Sequence, residues 1–323
     1  MARIVLGLGT SHSPQLSTPP EVWPVHAARD KQSDDLFAID GNPLTYDQLL
    51  KMAAPSIQAE LTAEKWQQRY DACQRAIAKE AEIVESVMPD VLIVVGDDQQ
   101  EVIRDDNVPA MLIYWGKTIP HVPESLIPAL HSARWAYGEK EKEYPVASDL
   151  GRHLIEFLMG RSFDVAQSQF IRAGQGMGHA FSFVYRRILN NQPMPTVPIM
   201  LNTYYPPNQP SAARCYELGK ALRQAVDEWN SDARVAIIAS GGLSHFVLDE
   251  DLDRKIIGAM RKKDEKQLTS LPSERLKSGT SEIRNWIVTA GATEHLKMNL
   301  IDYAPCYRSA AGTGVGMAFA SWS

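Results

Sequence analysis

The chain has only three cysteines in 323 residues, Cys73, Cys215 and Cys306, and no two of them form a CxxC pair. Neither a disulfide framework nor a thiolate zinc site is indicated, so any metal would be held by nitrogen and oxygen. Basic residues are also scarce: 33 Lys and Arg stand against 39 Asp and Glu, for a formal net charge of -6, and the cations do not gather into one run. That balance leaves no electrostatic footprint for nucleic acid. Long apolar runs are missing as well. The longest, such as Val91 to Val95, are strand-sized, far below the roughly 20 residues that cross a bilayer, so no membrane partner is expected. The first residues enter a strand pattern directly, without the basic and apolar regions of a signal peptide, which predicts a cytoplasmic protein.

What is present is a 44% hydrophobic composition, enough for a sizeable core, and the reading is one catalytic domain over residues 1–323. Apolar strand patterns at 2–8, 90–95, 110–114, 197–201 and 234–239 alternate with helical patterns at 62–88, 147–159, from Pro210 and Ser211 onward, and at 250–263. A last strand of small residues follows Gly312. This alternation predicts an α/β fold: a mostly buried central sheet flanked by helices, with the active site at strand ends. The stretch 15–55 has prolines at 19, 20, 24, 43 and 55 and little periodicity, and reads as a loop-rich lid.

The polar residues that matter gather where strands end. His12 lies in Gly7 to Pro14 after the first strand, and Gly96-Asp97-Asp98-Gln99-Gln100-Glu101 follows the second. Three alternating glycines precede His179, Ser240-Gly241-Gly242-Leu243-Ser244-His245 closes another strand, and Glu282 stands at the opening of a helix. Each has an ordinary alternative: a loop histidine satisfied by backbone, solvated acids, a first-turn glutamate offsetting the helix dipole. Three imidazoles beside glycines at three element boundaries fit one shared pocket more economically than three independent structural roles. His121, in a Pro-His-Val-Pro turn, and His131 and His153, in helical stretches, read as structural or surface residues. Tyr204 and Tyr205 read as core residues, with pocket lining as the other reading.

Several of these motifs resemble the class III extradiol ring-cleavage dioxygenases, of the type of the protocatechuate 4,5-dioxygenase catalytic subunit and its gallate-cleaving relatives. Thr10-Ser11-His12-Ser13-Pro14 is similar to that family's first iron-ligand motif, and Ser240 to His245 resembles its catalytic histidine motif. Thr203 to Gly219 is similar to its connecting strand and helix, Glu282 matches its carboxylate ligand, and His179 a second histidine near the substrate. One position departs: where the family has Asn-Asp-His, with that histidine as a ligand, this chain has Asp97-Asp98-Gln99.

The resemblance implies a non-haem iron(II) cofactor (Fe2+) held by His12, Gln99 and Glu282, with Asp97, Asp98 or Glu101 as alternative contributors. It implies His245 as catalytic acid and base and His179 as a catalytic hydrogen-bond donor to substrate or oxygen. The partners implied are a catechol-type small molecule and O2, a homo-oligomer, and a small helical subunit unless segment 15–55 covers the site itself. Two further readings use the same pocket: a metal-dependent hydrolase or lyase, and a binding protein on the same fold without metal.

Overall fold

A computed structural model describes residues 1–122 and 140–323; His131 lies outside the described residues. The strands in chain order are β1 (Arg3–Thr10), β2 (Val91–Asp97), β3 (Met111–Tyr114), β4 (Thr118–His121), β5 (Lys142–Pro145), β6 (Ala166–Ser168), β7 (Thr196–Leu201), β8 (Arg234–Ser240), β9 (His245–Val247), β10 (Met298–Tyr307) and β11 (Thr313–Trp322). Nine of them form one sheet in the order β10-β11-β1-β8-β2-β7-β3-β6, with β9 paired to β11. Its centre, β1, β8, β2 and β7, is parallel, and its flanks are antiparallel: β11 runs against β1, and β3 against β7. The pair β4 and β5 stands apart as a two-stranded ribbon.

Every residue of β2 and of β7 is buried, as continuous apolar strands in a parallel sheet must be when helices cover both faces. Alternation along β2 sends Ile93 and Val95 into one core and Leu92 and Val94 into the other. The first core packs under the helices Ser148–Gly160, Ala212–Glu228 and Ile283–Ala292, the second under Ala63–Val87. Thr62 caps Ala63–Val87 by accepting from the Lys65 amide, and the helix ends on Met88 in the left-handed conformation, just before Pro89. Ser211 caps Ala212–Glu228 in the same way. Ile283–Ala292 is buried along its whole length. Gly219 lets that helix approach, because a Cβ there would strike the Val288 carbonyl. No described helix is long and apolar enough to cross a membrane.

Three expectations change in detail. The 15–55 stretch is partly helical, with Trp23–Asp30 and Tyr46–Met52, the second opened by a reciprocal Thr45 and Gln48 capping box. Asp30 also anchors it: Arg308 donates to both Asp30 carboxylate oxygens at 2.7 Å, with all four partners buried. His121 ends strand β4 rather than a turn, and its Nδ1 meets Ser182 Oγ at 2.8 Å. The long strand β10 had no counterpart in the sequence reading, because its register shifts between Leu300 and Asp302 and its inward alternation breaks there. His153, on Ser148–Gly160, holds the Ala225 carbonyl at 2.8 Å, a structural role as expected.

Candidate metal centre and catalytic pocket

The carboxyl ends of the four parallel strands meet at one place, the position where open α/β sheets collect ligands. His12 follows β1, Asp97 ends β2, Tyr204 follows β7 and Ser240 ends β8. Glu282 arrives from the other direction, at the turn that opens Ile283–Ala292. His12 Nε2 and Glu282 Oε2 lie 3.5 Å apart, although the two residues sit 270 positions apart in the chain. Asp97 Oδ1 is 3.9 Å from the same nitrogen. All three side chains are buried.

The tautomer of His12 follows from its neighbours. Ser240 Oγ has one proton, which it donates to the Ala180 carbonyl at 2.7 Å, so at 2.9 Å it accepts from His12 Nδ1. The proton is then on Nδ1, and Nε2 turns a lone pair toward two carboxylates. Neither His12 Nε2 nor Asp97 Oδ1 has a hydrogen-bond partner, and both atoms are fully buried. Three facing lone pairs in a dry site are a costly arrangement unless a cation joins them. The donor set therefore fits a first-row divalent ion bound by nitrogen and oxygen. His12, Asp97 and His179 each offer a ligand atom within 4.8 Å of the others.

The surrounding groups are tied down. Glu282 Oε2 accepts from the Gly242 amide at 2.7 Å, and its Oε1 accepts from the Tyr204 hydroxyl at 2.8 Å and lies 3.1 Å from His245 Nε2. Burial opposes its charge, but the neighbouring His245 holds its carboxyl well below the usual range. His245 Nδ1 donates to the Leu243 carbonyl at 2.8 Å, which leaves Nε2 as the atom that faces the pocket. Burial opposes a charge on that ring too, and the Glu282 carboxylate overcomes it, so its pKa is raised. Gly279 packs flat on His245, and any Cβ there would collide with the ring. His179 begins the helix His179–Phe183, and Glu101 receives its Nδ1 at 2.7 Å and its backbone amide at 3.0 Å.

A cavity of about 100 Å³ opens among His12, Gln99, His179, Tyr204, His245 and Glu282, several times the 10–15 Å³ that one water requires, by that measure. The structure thus brings His12, His179, His245 and Glu282 into one pocket. Gln99 lines it half-buried, with its amide donating to Asp97 Oδ2 at 3.4 Å. Asp98 accepts the Val102 and Ile103 amides, and Glu101 is committed to His179, so neither turns to His12. Burial and Glu101 push Asp98 up to about 7. Tyr204, for which core packing and pocket lining were the two readings, lines the pocket just after β7. Ser240 was visible only as part of a motif.

Comparison with known proteins adds an independent line. Residues 54–317 match the family model described as the catalytic LigB subunit of aromatic ring-opening dioxygenase, a stretch that holds Asp97, Gln99, His179, His245 and Glu282 and begins after His12. The chain is 36% identical over 104 residues to a gallate dioxygenase of Pseudomonas putida, covering 31% of this chain and 29% of that one. It is 28% identical over 174 residues to a 2,3-dihydroxyphenylpropionate/2,3-dihydroxicinnamic acid 1,2-dioxygenase of Comamonas testosteroni, covering 54% of this chain and 49% of that one. The matched segments thus span half or less of those relatives' lengths. With the family model covering most of its length and the strand-end pocket in place, the chain belongs to the family of catalytic LigB subunits of aromatic ring-opening dioxygenases.

Proposed function

We propose that this protein is an extradiol dioxygenase that opens a catechol-type ring with O2, using a non-haem iron(II). The observation that carries this reading is the unpartnered His12 Nε2 lone pair, aimed at Glu282 inside a pocket that also presents His179 and His245. His12 and Glu282 would hold the ion. Bound there, iron(II) would supply the redox chemistry that lets O2 react with a catechol.

The protein's own groups handle protons and position. A catechol that binds through both oxygens gives up at least one proton, and His245 Nε2, fixed in place by the Leu243 carbonyl and Gly279, is the acceptor within the pocket. The same nitrogen returns a proton when the ring opens. Glu101 keeps a proton on His179 Nδ1 and raises that ring's basicity to about 10 against the opposing effect of burial. His179 therefore acts as a fixed donor toward substrate oxygen rather than as a base. Tyr204 anchors Glu282 through its hydroxyl and closes one wall.

Segment 15–55 takes the role of cover. Asp35, Phe37, Ala38 and Ile39 line a second cavity together with His245 and Phe246, so this stretch borders the pocket without a separate helical subunit. The test is O2 uptake by anaerobically iron-loaded protein on a panel of catechols. Consumption matched to ring-opened product, lost in His12→Ala, is the expected result. Metal-dependent turnover without O2 uptake would indicate a hydrolase or lyase instead.

A further inference from the structure

We propose that Asp97 is the third protein ligand of this metal centre, and that Gln99, which occupies the position of the family's histidine ligand, holds Asp97 in place. The ligand role has moved two residues upstream along the same strand end. The inference rests on the metal of the ring-opening reading, yet it concerns binding and not turnover.

Asp97 is the last residue of β2, a strand flanked by β8 and β7, and it is paired with Leu201 of β7. Its side chain is fully buried. Its two oxygens have different fates: Oδ2 receives the Gln99 amide at 3.4 Å, and Oδ1, with no partner, faces His12 Nε2 at 3.9 Å. An unpaired carboxylate oxygen in a water-excluded site is expensive by itself. Here it lies opposite the unpaired imidazole nitrogen, which is itself 3.5 Å from Glu282 Oε2, so an ion placed at His12 Nε2 would face a carboxylate oxygen from each of Asp97 and Glu282.

Gln99 is on the loop past the strand and only half-buried. Its amide donates to the outer oxygen of Asp97 and thereby turns the inner oxygen toward His12, the way supporting hydrogen bonds orient metal ligands. The exchange also alters charge. One imidazole and two carboxylates neutralise a divalent ion, whereas two imidazoles and one carboxylate leave one positive charge. The centre built here is harder and less electrophilic, a donor set suited to the oxygen-preferring end of the first-row ions.

The experiment is anaerobic titration of the full chain with Co2+, followed by its visible absorption bands, which report the ligand set, and by the rise in thermal midpoint. Asp97→Asn keeps the shape of the side chain and removes only the charge. It is expected to weaken binding by about 100-fold or more, to shift the bands and to abolish the metal-dependent rise in midpoint. Gln99→Leu is expected to weaken binding by about 10-fold with band positions unchanged, the lower end of what loss of a supporting partner does. His12→Ala, the reference, loses binding. The proposal is overturned if Asp97→Asn binds within threefold of wild type, or if Gln99→Leu shifts the bands and loses as much as His12→Ala. Retained binding in His12→Ala would overturn the metal site of the ring-opening reading itself, an outcome distinct from failure of Asp97 alone.

Discussion

Ser240 does not touch the cavity, yet the tautomer of His12 depends on it. In Ser240→Ala the hydroxyl that accepts from His12 Nδ1 and donates to the Ala180 carbonyl is gone. Two buried hydrogen bonds at about 1 kcal/mol net each give a stability loss of about 2 kcal/mol, somewhat more if the Ala180 carbonyl stays unsatisfied. The effect on the metal is separate. Without an acceptor at Nδ1, the imidazole proton moves to Nε2, where Glu282 and Asp97 carboxylates at 3.5 and 3.9 Å attract it. An incoming cation can bind Nε2 only once that proton has returned to Nδ1, where it now lacks an acceptor. Metal affinity should fall by about 10- to 100-fold, the usual effect of removing a partner that orients a histidine ligand, which corresponds to roughly 1.4 to 2.8 kcal/mol. Anaerobic titration read by calorimetry measures both the affinity and the protons released, and only the affinity should change, because the ring carries one proton before and after binding in either tautomer. Equal affinity would refute the tautomer argument. Ser240→Thr, which restores a hydroxyl, should recover most of the loss.

Replacing His245 by Ala should leave metal binding intact and depress turnover by about 10² to 10⁴, the range for a lost acid or base; parallel loss of metal would make it a ligand instead. Arg308→Met leaves the Asp30 carboxylate buried without its bidentate partner, so denaturant unfolding should show a loss of about 3 to 5 kcal/mol, and a loss under 1 kcal/mol would mean that the pair is dispensable. His26 is shifted to about 4 by burial and by the nearby Arg308 and Arg29. As pH falls from 7 to 4 the unfolded chain takes up this proton first, so the neutral histidine's stabilisation is progressively lost below the unfolded value of 6.5. Reduced for its partial exposure, the loss is about 1 kcal/mol. Unfolding curves of wild type and His26→Gln across that window should therefore converge on the acid side; parallel curves would contradict the assignment.

The parallel centre of the sheet was readable because its strands are apolar without interruption and end abruptly in polar, glycine-rich turns. For the same reason His12 and His245 stand out at strand ends, while His179 is marked by the glycines before it and Glu282 by the helix start it occupies. Alternation failed as a guide where a strand carries a register shift, as in β10, and where an element is short and leans on distant partners. Trp23–Asp30 is such a case: its stability comes from buried Trp23 and from the Arg308 pair, neither of which is a local signal. The capping box at Thr45 and Gln48 was a local signal for Tyr46–Met52 that went unread. Inside the pocket, the choice among Asp97, Asp98, Gln99 and Glu101 was out of reach. All four occupy one turn, and only the backbone amides that claim Asp98 and the imidazole that claims Glu101 set Asp97 apart.

The order of strands has a consequence for how the protein is made. Strand β1 pairs only with β8 and β11, which are synthesised more than 200 residues later. His12 is therefore synthesised early and stays without its Ser240 and Glu282 neighbours until most of the chain has followed. An ion held by His12 and Glu282, as proposed, would close a loop of 270 positions, so a chain terminated before Glu282 would have no competent centre. On the proposed metal reading, occupancy of this site would report that synthesis has passed Glu282, and a shorter nascent chain would not draw on the metal supply through it.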